Sequence, residues 1–161
     1  MRHIVTALLI CIAVSGCASR KTTEQATTAT AETPAAPASA STSADADVLR
    51  DEANNRVYFS YDSWNVSDAA AQVLRRQAAW LAANPSVSVV IEGHCDERGT
   101  REYNLGLGER RAHAVRTFLV SAGVESGRIR TISYGKDRPE AAGSTDEAWW
   151  RNRRAVTAIA Q

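Results

Sequence analysis

Gly93-His94-Cys95-Asp96-Glu97-Arg98-Gly99-Thr100, continued by Tyr103-Asn104-Leu105 and Gly108-Glu109-Arg110-Arg111, decides how this 161-residue chain is read. Val87, Val89, Val90 and Ile91 stand just before it and predict a strand over residues 87–92 that ends at Gly93. The polar loop that follows sets Asp96 and Glu97 beside Arg98, and a helix begins near Asn104. Arg111 falls one to two turns into that helix, where it can face back toward the strand end. A carboxylate and a guanidinium on opposite walls of one cleft suit a small zwitterion. The acid pairs with an ammonium, and the guanidinium fork pairs with a carboxylate. Backbone N–H groups at the helix start add donors for the same anion. Such a site binds, and nothing in it needs to react.

Outward from this block, residues 57–61 alternate as a strand does. Ser67 or Asp68 can cap a helix running to Asn84, with Ala70, Val73, Leu74, Ala78 and Leu81 on one stripe, and Pro85 blocks its continuation. Ala112, Val115, Phe118, Leu119 and Ala122 form the apolar face of the second long helix, and Gly123 is a natural stop. Residues 129–134 and 155–160 read as further strands. The order strand–helix–strand–helix–strand predicts an α/β (α+β) sandwich, with helices covering one face of a mixed sheet. No internal repeat occurs.

The same residues admit plainer readings. Asp96 also fits a loop acid capping the next turn, and Arg111 a helix residue paired with Glu109 or with Asp96. Asn104 is most simply the helix N-cap, which would also fix the loop that carries the site. His94, Cys95, Asp96 and Glu97 in a row invite a hydrolase or a metal centre. Neighbours on a strand end point to opposite faces, so His94 and Cys95 make no dyad. The chain holds three His and three Cys without Cys-x-x-Cys or His-x-x-x-His spacing, so no metal, cofactor or catalysis is expected. Gly106-Leu107-Gly108 lies in a helical stretch and lacks the third glycine of a nucleotide fingerprint. Asn152-Arg153-Arg154 should open the last strand, with one Arg pairing an acid near the site. Glu97 has no partner in this scheme. Trp64, Trp149 and Trp150 could form a partner surface, with at least one of them in the core.

These motifs resemble the OmpA-like peptidoglycan-binding domain, and within it the lipoproteins of the Tol–Pal system. Val57-Tyr58-Phe59-Ser60-Tyr61-Asp62 is similar to the opening strand of that family, and Asn84-Pro85 to the end of its first helix. The block quoted above matches the centre of the family almost residue for residue. Ser133-Tyr134-Gly135-Lys136 with Pro139, and Trp149 with Asn152-Arg153-Arg154, resemble its closing segments. The resemblance implies that Asp96 and Arg111 hold the diaminopimelate side chain of a peptidoglycan stem peptide. It also implies that Tyr61 and Asp62 touch the stem and that Asn104 belongs to the site. It further implies Tol proteins (TolB, TolA) as partners in outer-membrane constriction at division and in envelope integrity. A lipoprotein of the same family outside the Tol system is the alternative. Tyr61 stands where Phe is frequent, Cys95 where a small residue often sits, and Trp150 beside the expected Trp149.

The N-terminal third belongs to delivery. Arg2 and His3 precede an apolar run, residues 4–14, that is shorter than the roughly 20 residues a bilayer needs and reads as a signal-peptide core. Val14-Ser15-Gly16-Cys17 resembles the lipobox of bacterial lipoproteins, with Cys17 as the acylated first residue of the mature chain; an ordinary secretory signal is the other reading. In the lipoproteins that this motif resembles, a residue other than Asp after the cysteine implies export to the outer membrane, so Ala18 implies that destination, with the domain facing the periplasm. With 19 basic and 18 acidic residues the chain carries no field for nucleic acid or anionic lipid, so the acyl chains must supply membrane attachment. Ala, Thr, Ser and Pro then dominate and cannot offset the entropy of ordering. The expected division is a leader over residues 1–16, a lipid-anchored disordered tether over 17–47 and the binding domain over 48–161. Such a tether reaches roughly 30 Å on average and about 100 Å when taut. Cys95, without an intrachain partner, should be buried.

Overall fold

In the computed structural model, which describes residues 48–160, the run before Gly93 forms the central strand two residues later than expected, as β2 (Val89–His94). The leader, Cys17, the tether and Gln161 lie outside the described residues. Val87 is held back from the strand because its N–H donates to Asn84 O (3.1 Å), closing the turn at Pro85. Around β2 lie α1 (Glu52–Asn55), β1 (Arg56–Tyr58), α2 (Asp68–Ala83), α3 (Arg101–Ser121), β3 (Ile129–Gly135), α4 (Asp146–Asn152) and β4 (Arg154–Ile159). The sheet order is β1-β4-β2-β3, with β2 and β3 parallel and β4 antiparallel to both of its neighbours. This is the expected mixed sheet, with α2 and α3 covering one face. The first strand is shorter than its sequence pattern. After Tyr58 the chain turns away, and Asp62 adopts a left-handed φ of 49°.

The helices form for the reasons their sequences give. The Ser67 side chain caps α2 by accepting from Ala70 N–H, and Ala70, Leu74, Ala78 and Leu81 are buried. They meet Val57, Val89, Ile91 and Ile129 of the sheet and Val115 and Leu119 of α3. Each large aliphatic side chain in this core contributes about 1.5–3 kcal/mol. Gly123 (φ 97°) ends α3, with its own N–H on Val120 O and the Val124 N–H on Leu119 O, both 3.0 Å. Ala122, expected on the buried face, is instead the exposed C-cap residue. The tryptophan of the core is Trp80, 7% exposed. Trp64 and Trp150 are exposed and Trp149 is half-buried, so none of the three tryptophans expected to share in the core does so.

Two glycines set where α3 lands. A Cβ on Gly93 would lie 1.9 Å from Gly108 O, and one on Gly108 would lie 2.3 Å from Ser133 Oγ. Backbone therefore meets backbone where α3 crosses the end of β2, and the next turn brings Arg111 over the strand-end carbonyls.

Candidate functional site

Beyond β2, residues 95–100 form a loop pinned from several sides. Cys95 N–H donates to Gly135 O (2.8 Å), and Lys136 Nζ donates to Glu97 O (3.1 Å) and Gly99 O (2.7 Å). Thr100, not Asn104, caps α3, its hydroxyl accepting from Tyr103 N–H (3.2 Å). The helix thus starts three residues earlier than expected, and Arg111 stands nearly three turns in rather than one to two. Asn104 keeps the loop-fixing part of its expected role. Buried on the first turn, it donates through Nδ2 to Arg98 O (2.8 Å) and Thr100 O (3.0 Å).

Loop and helix enclose a cavity of about 200 Å³ lined by Tyr61, Asp62, Asp96, Asn104 and Arg111, with Cys95, Arg98, Tyr103 and Arg153 completing its walls. All five side chains that sequence reasoning assigned to ligand binding line this one cavity. A larger cleft, about 380 Å³, runs between β1 and α2, but no carboxylate stands among its described lining residues.

The two charged groups at the centre already have partners. Asp96 is buried, and its Oδ1 accepts from Arg98 N–H (3.2 Å) and Nε (3.3 Å). Its Oδ2 accepts from Arg98 Nη2 (2.5 Å) and Arg153 Nη1 (3.3 Å), as expected of an arginine at the mouth of the last strand. Burial works to raise the Asp96 pKa, but the hydrogen bonds from Arg98 and Arg153 outweigh it and hold the carboxyl below its usual range. Arg111 is 0% exposed. It pairs with neither Glu109 nor Asp96 and donates from Nε to Ser63 O (2.8 Å), from Nη1 to His94 O (2.8 Å) and Cys95 Sγ (3.4 Å), and from Nη2 to Ser60 O (3.1 Å). A guanidinium has five N–H groups, so one on Nη2 is left for a ligand. The open fork expected from the sequence is thus engaged in joining the segment after β1 to the end of β2.

The rim is aromatic. Arg98 Cζ lies 4.1 Å from the Tyr61 ring centroid and 4.0 Å from that of Trp149, a cation between two rings. The Tyr103 hydroxyl donates to Asp62 Oδ1. Glu97, expected to stand alone, accepts from Trp149 Nε1 (3.2 Å), and its carboxyl is held low by hydrogen bonds from Ser144 and Trp149. Sequence reasoning missed Arg98, Tyr103 and Lys136. Arg98 was already placed beside Asp96 by the sequence without being given a role in the site, whereas nothing local marks Lys136.

The hydrolase reading fails on charge state and direction. Burial pushes the Cys95 thiol up to about 11, against the pull of Arg111, so it stays protonated; its Sγ–H donates to Asn104 O (3.4 Å). Burial, with Arg154 nearby, brings the His94 imidazole down to about 4, and its ring tilts against Tyr134 (centroids 5.5 Å apart) on the other face of the sheet. Among the described residues no group of three or more His, Cys, Asp or Glu could hold a metal.

Residues 58–153 match the OmpA family model. The chain is 46% identical over 156 residues to a peptidoglycan-associated lipoprotein of Mesorhizobium japonicum, covering 97% of this chain and 90% of that protein. It is 46% identical, with the same coverage, to the protein of that name from Brucella melitensis. Among solved structures, the peptidoglycan-associated lipoprotein from Burkholderia pseudomallei superposes with a TM-score of 0.65 at 41% identity, over 67% of this chain and 92% of that one.

Proposed function

We propose a function from one premise, that this chain belongs to the OmpA family: it binds peptidoglycan non-covalently through the diaminopimelate end of the stem peptide. Like its relatives it is not an enzyme. The observation that carries the binding reading is the meeting of Asp96 and Arg111 in one cavity of about 200 Å³, with Tyr61 and Asp62 at its edge and Asn104 behind the loop. A free amino-acid end presents an ammonium and a carboxylate a few bonds apart. The Asp96 carboxylate receives the ammonium, and the remaining Nη2 N–H and the buried charge of Arg111 receive the carboxylate. Asp96 and Arg111 are both buried, so contacts to them act at lower effective dielectric than on the surface.

In this proposal Cys17 anchors the chain in the outer membrane through its acyl chains, and residues 17–47 span the gap to the wall. The domain faces the periplasm and ties membrane to peptidoglycan. Tol partners and a role in constriction at division belong to the same proposal and rest on the resemblance of the sequence motifs alone.

Calorimetry with stem peptides that carry or lack the terminal carboxylate of diaminopimelate tests the site. The intact peptide should bind, the truncated one should bind far more weakly, and Asp96→Asn should weaken the intact peptide about 30-fold or more. Equal affinity of the wild-type domain for both peptides would return Asp96 and Arg111 to purely structural roles.

A further inference from the structure

A second depression, of about 270 Å³, is lined by Trp64, Glu109, Arg110, His113 and Ala114, and its Arg110 reaches the Tyr103 ring of the cavity wall. It is small, on the scale of a single sugar ring, and its chemistry is mixed in a particular way. Trp64 is 44% exposed and Tyr103 46%, so neither ring is core. The Arg110 guanidinium lies 4.8 Å from the Trp64 centroid and 5.9 Å from that of Tyr103, bridging the two rings, and among the described residues it has no carboxylate partner. Glu109 Oε1 accepts from the Thr131 hydroxyl (3.1 Å), which leaves its second oxygen without a side-chain donor among the described residues, and His113 Nδ1 faces Thr117 Oγ1 (3.4 Å). An indole face suits the C–H face of a pyranose, while an acid, a guanidinium and an imidazole around it suit its hydroxyl and acetamido groups.

We propose that this groove is a saccharide subsite that seats one N-acetylhexosamine ring of the peptidoglycan glycan strand. The proposal rests on the stem-peptide reading above, because the glycan is the polymer to which that peptide is attached. Three residues of extended stem span about 10 Å, so a strand whose stem peptide fills the cavity must pass close to its mouth. Tyr103 of the cavity wall and Arg110 of the groove are neighbours, the guanidinium lying 5.9 Å from the Tyr103 ring centroid, so a single side-chain contact links the two depressions. The polar edge of the groove argues against a purely apolar protein partner, and the absence of a basic cluster argues against a phosphate.

Three ligands separate the possibilities in the folded domain: a stem peptide ending in diaminopimelate, the same peptide on its N-acetylated disaccharide, and a short N-acetylglucosamine oligomer. The disaccharide-peptide should bind about tenfold more tightly than the free peptide, and Trp64→Ala should erase that difference while leaving the free peptide unchanged. The oligomer alone should shift the Trp64 indole N–H signal in an NMR titration, whereas the free peptide should not. Glu109→Gln serves as a second variant and should shrink the same difference. Equal wild-type affinity for the two peptides, a difference that survives Trp64→Ala, or an indole signal unmoved by the oligomer would overturn the subsite. Failure of both peptides to bind, with an oligomer-induced indole shift, would overturn the stem-peptide reading and leave the saccharide contact standing.

Discussion

The floor and the rim of the pocket are built differently. Arg111, Asn104 and Cys95 make the floor, are all buried, and bond mainly to backbone carbonyls: Ser60, Ser63 and His94 for Arg111, Arg98 and Thr100 for Asn104. Tyr61, Arg98, Trp149 and Tyr103 make the rim, stand partly or largely in solvent, and are held by ring stacking and side-chain hydrogen bonds. Backbone partners cannot move without moving the fold, whereas side-chain partners can exchange for a ligand. The floor should therefore report on stability and binding together, and the rim on binding alone.

Arg111→Ala tests that division with the largest expected effect. It removes the donor shared by three carbonyls and empties a fully buried volume, which should cost about 3–5 kcal/mol. Urea unfolding should show the loss without any ligand present. Arg111→Lys should recover only part of it, since one ammonium cannot span three directions. If Arg111→Ala abolished binding yet unfolded at the wild-type urea concentration, the floor would not be structural.

Acid should act next most strongly, from behind the floor. His94 has its carbonyl on Arg111 and its ring on the opposite face, among Arg154, Arg138 and Arg56, with Glu92 at 3.7 Å. Its pKa is about 4 when folded and about 6.5 when unfolded, so between those values only the unfolded chain binds the proton. Stability should fall by about 3 kcal/mol as pH drops through that window, and His94→Gln should remove most of the slope. Asp96, whose folded pKa is depressed, stabilises above its unfolded value and loses that contribution only below about pH 4, so the two windows separate. A pH-independent unfolding midpoint between 6.5 and 4 would show that the folded state accepts the proton there without strain.

What the sequence revealed divides along the same line. The strand–helix alternation, the Ser67 cap, the Gly123 stop and the burial of Cys95 were legible because each depends on local periodicity or a single residue's chemistry. The residues assigned to the ligand do share one cavity, because one block carries three of them and the turn after β1 the other two. The state of those residues was not legible. That the Arg111 fork is engaged depends on Ser60 and Ser63, which come from a distant segment. The Arg153 contact with Asp96 was foreseen, but not that the neighbouring Arg98 would already take most of the carboxylate. The short helices α1 and α4 were missed because four and seven residues are too few to show a period.

The rim gives the smallest effect and the one whose sign matters most. Arg98 takes three of the four hydrogen bonds that Asp96 accepts, with its guanidinium resting between Tyr61 and Trp149. In this state it stands where a ligand ammonium would stand, so the two cations compete for one carboxylate. Arg98→Ala removes the side-chain competitor, leaves the residue-98 N–H on Oδ1 and Arg153 on Oδ2, and so keeps the Asp96 carboxylate hydrogen-bonded while the partly solvated guanidinium is lost. The variant should unfold within error of the wild type and bind the diaminopimelate-bearing peptide a few-fold more tightly, with less dependence on salt. Calorimetry at two ionic strengths reads both. Loss of affinity by an order of magnitude would make Arg98 a direct contact of the ligand, and the pocket would then need its rim as much as its floor.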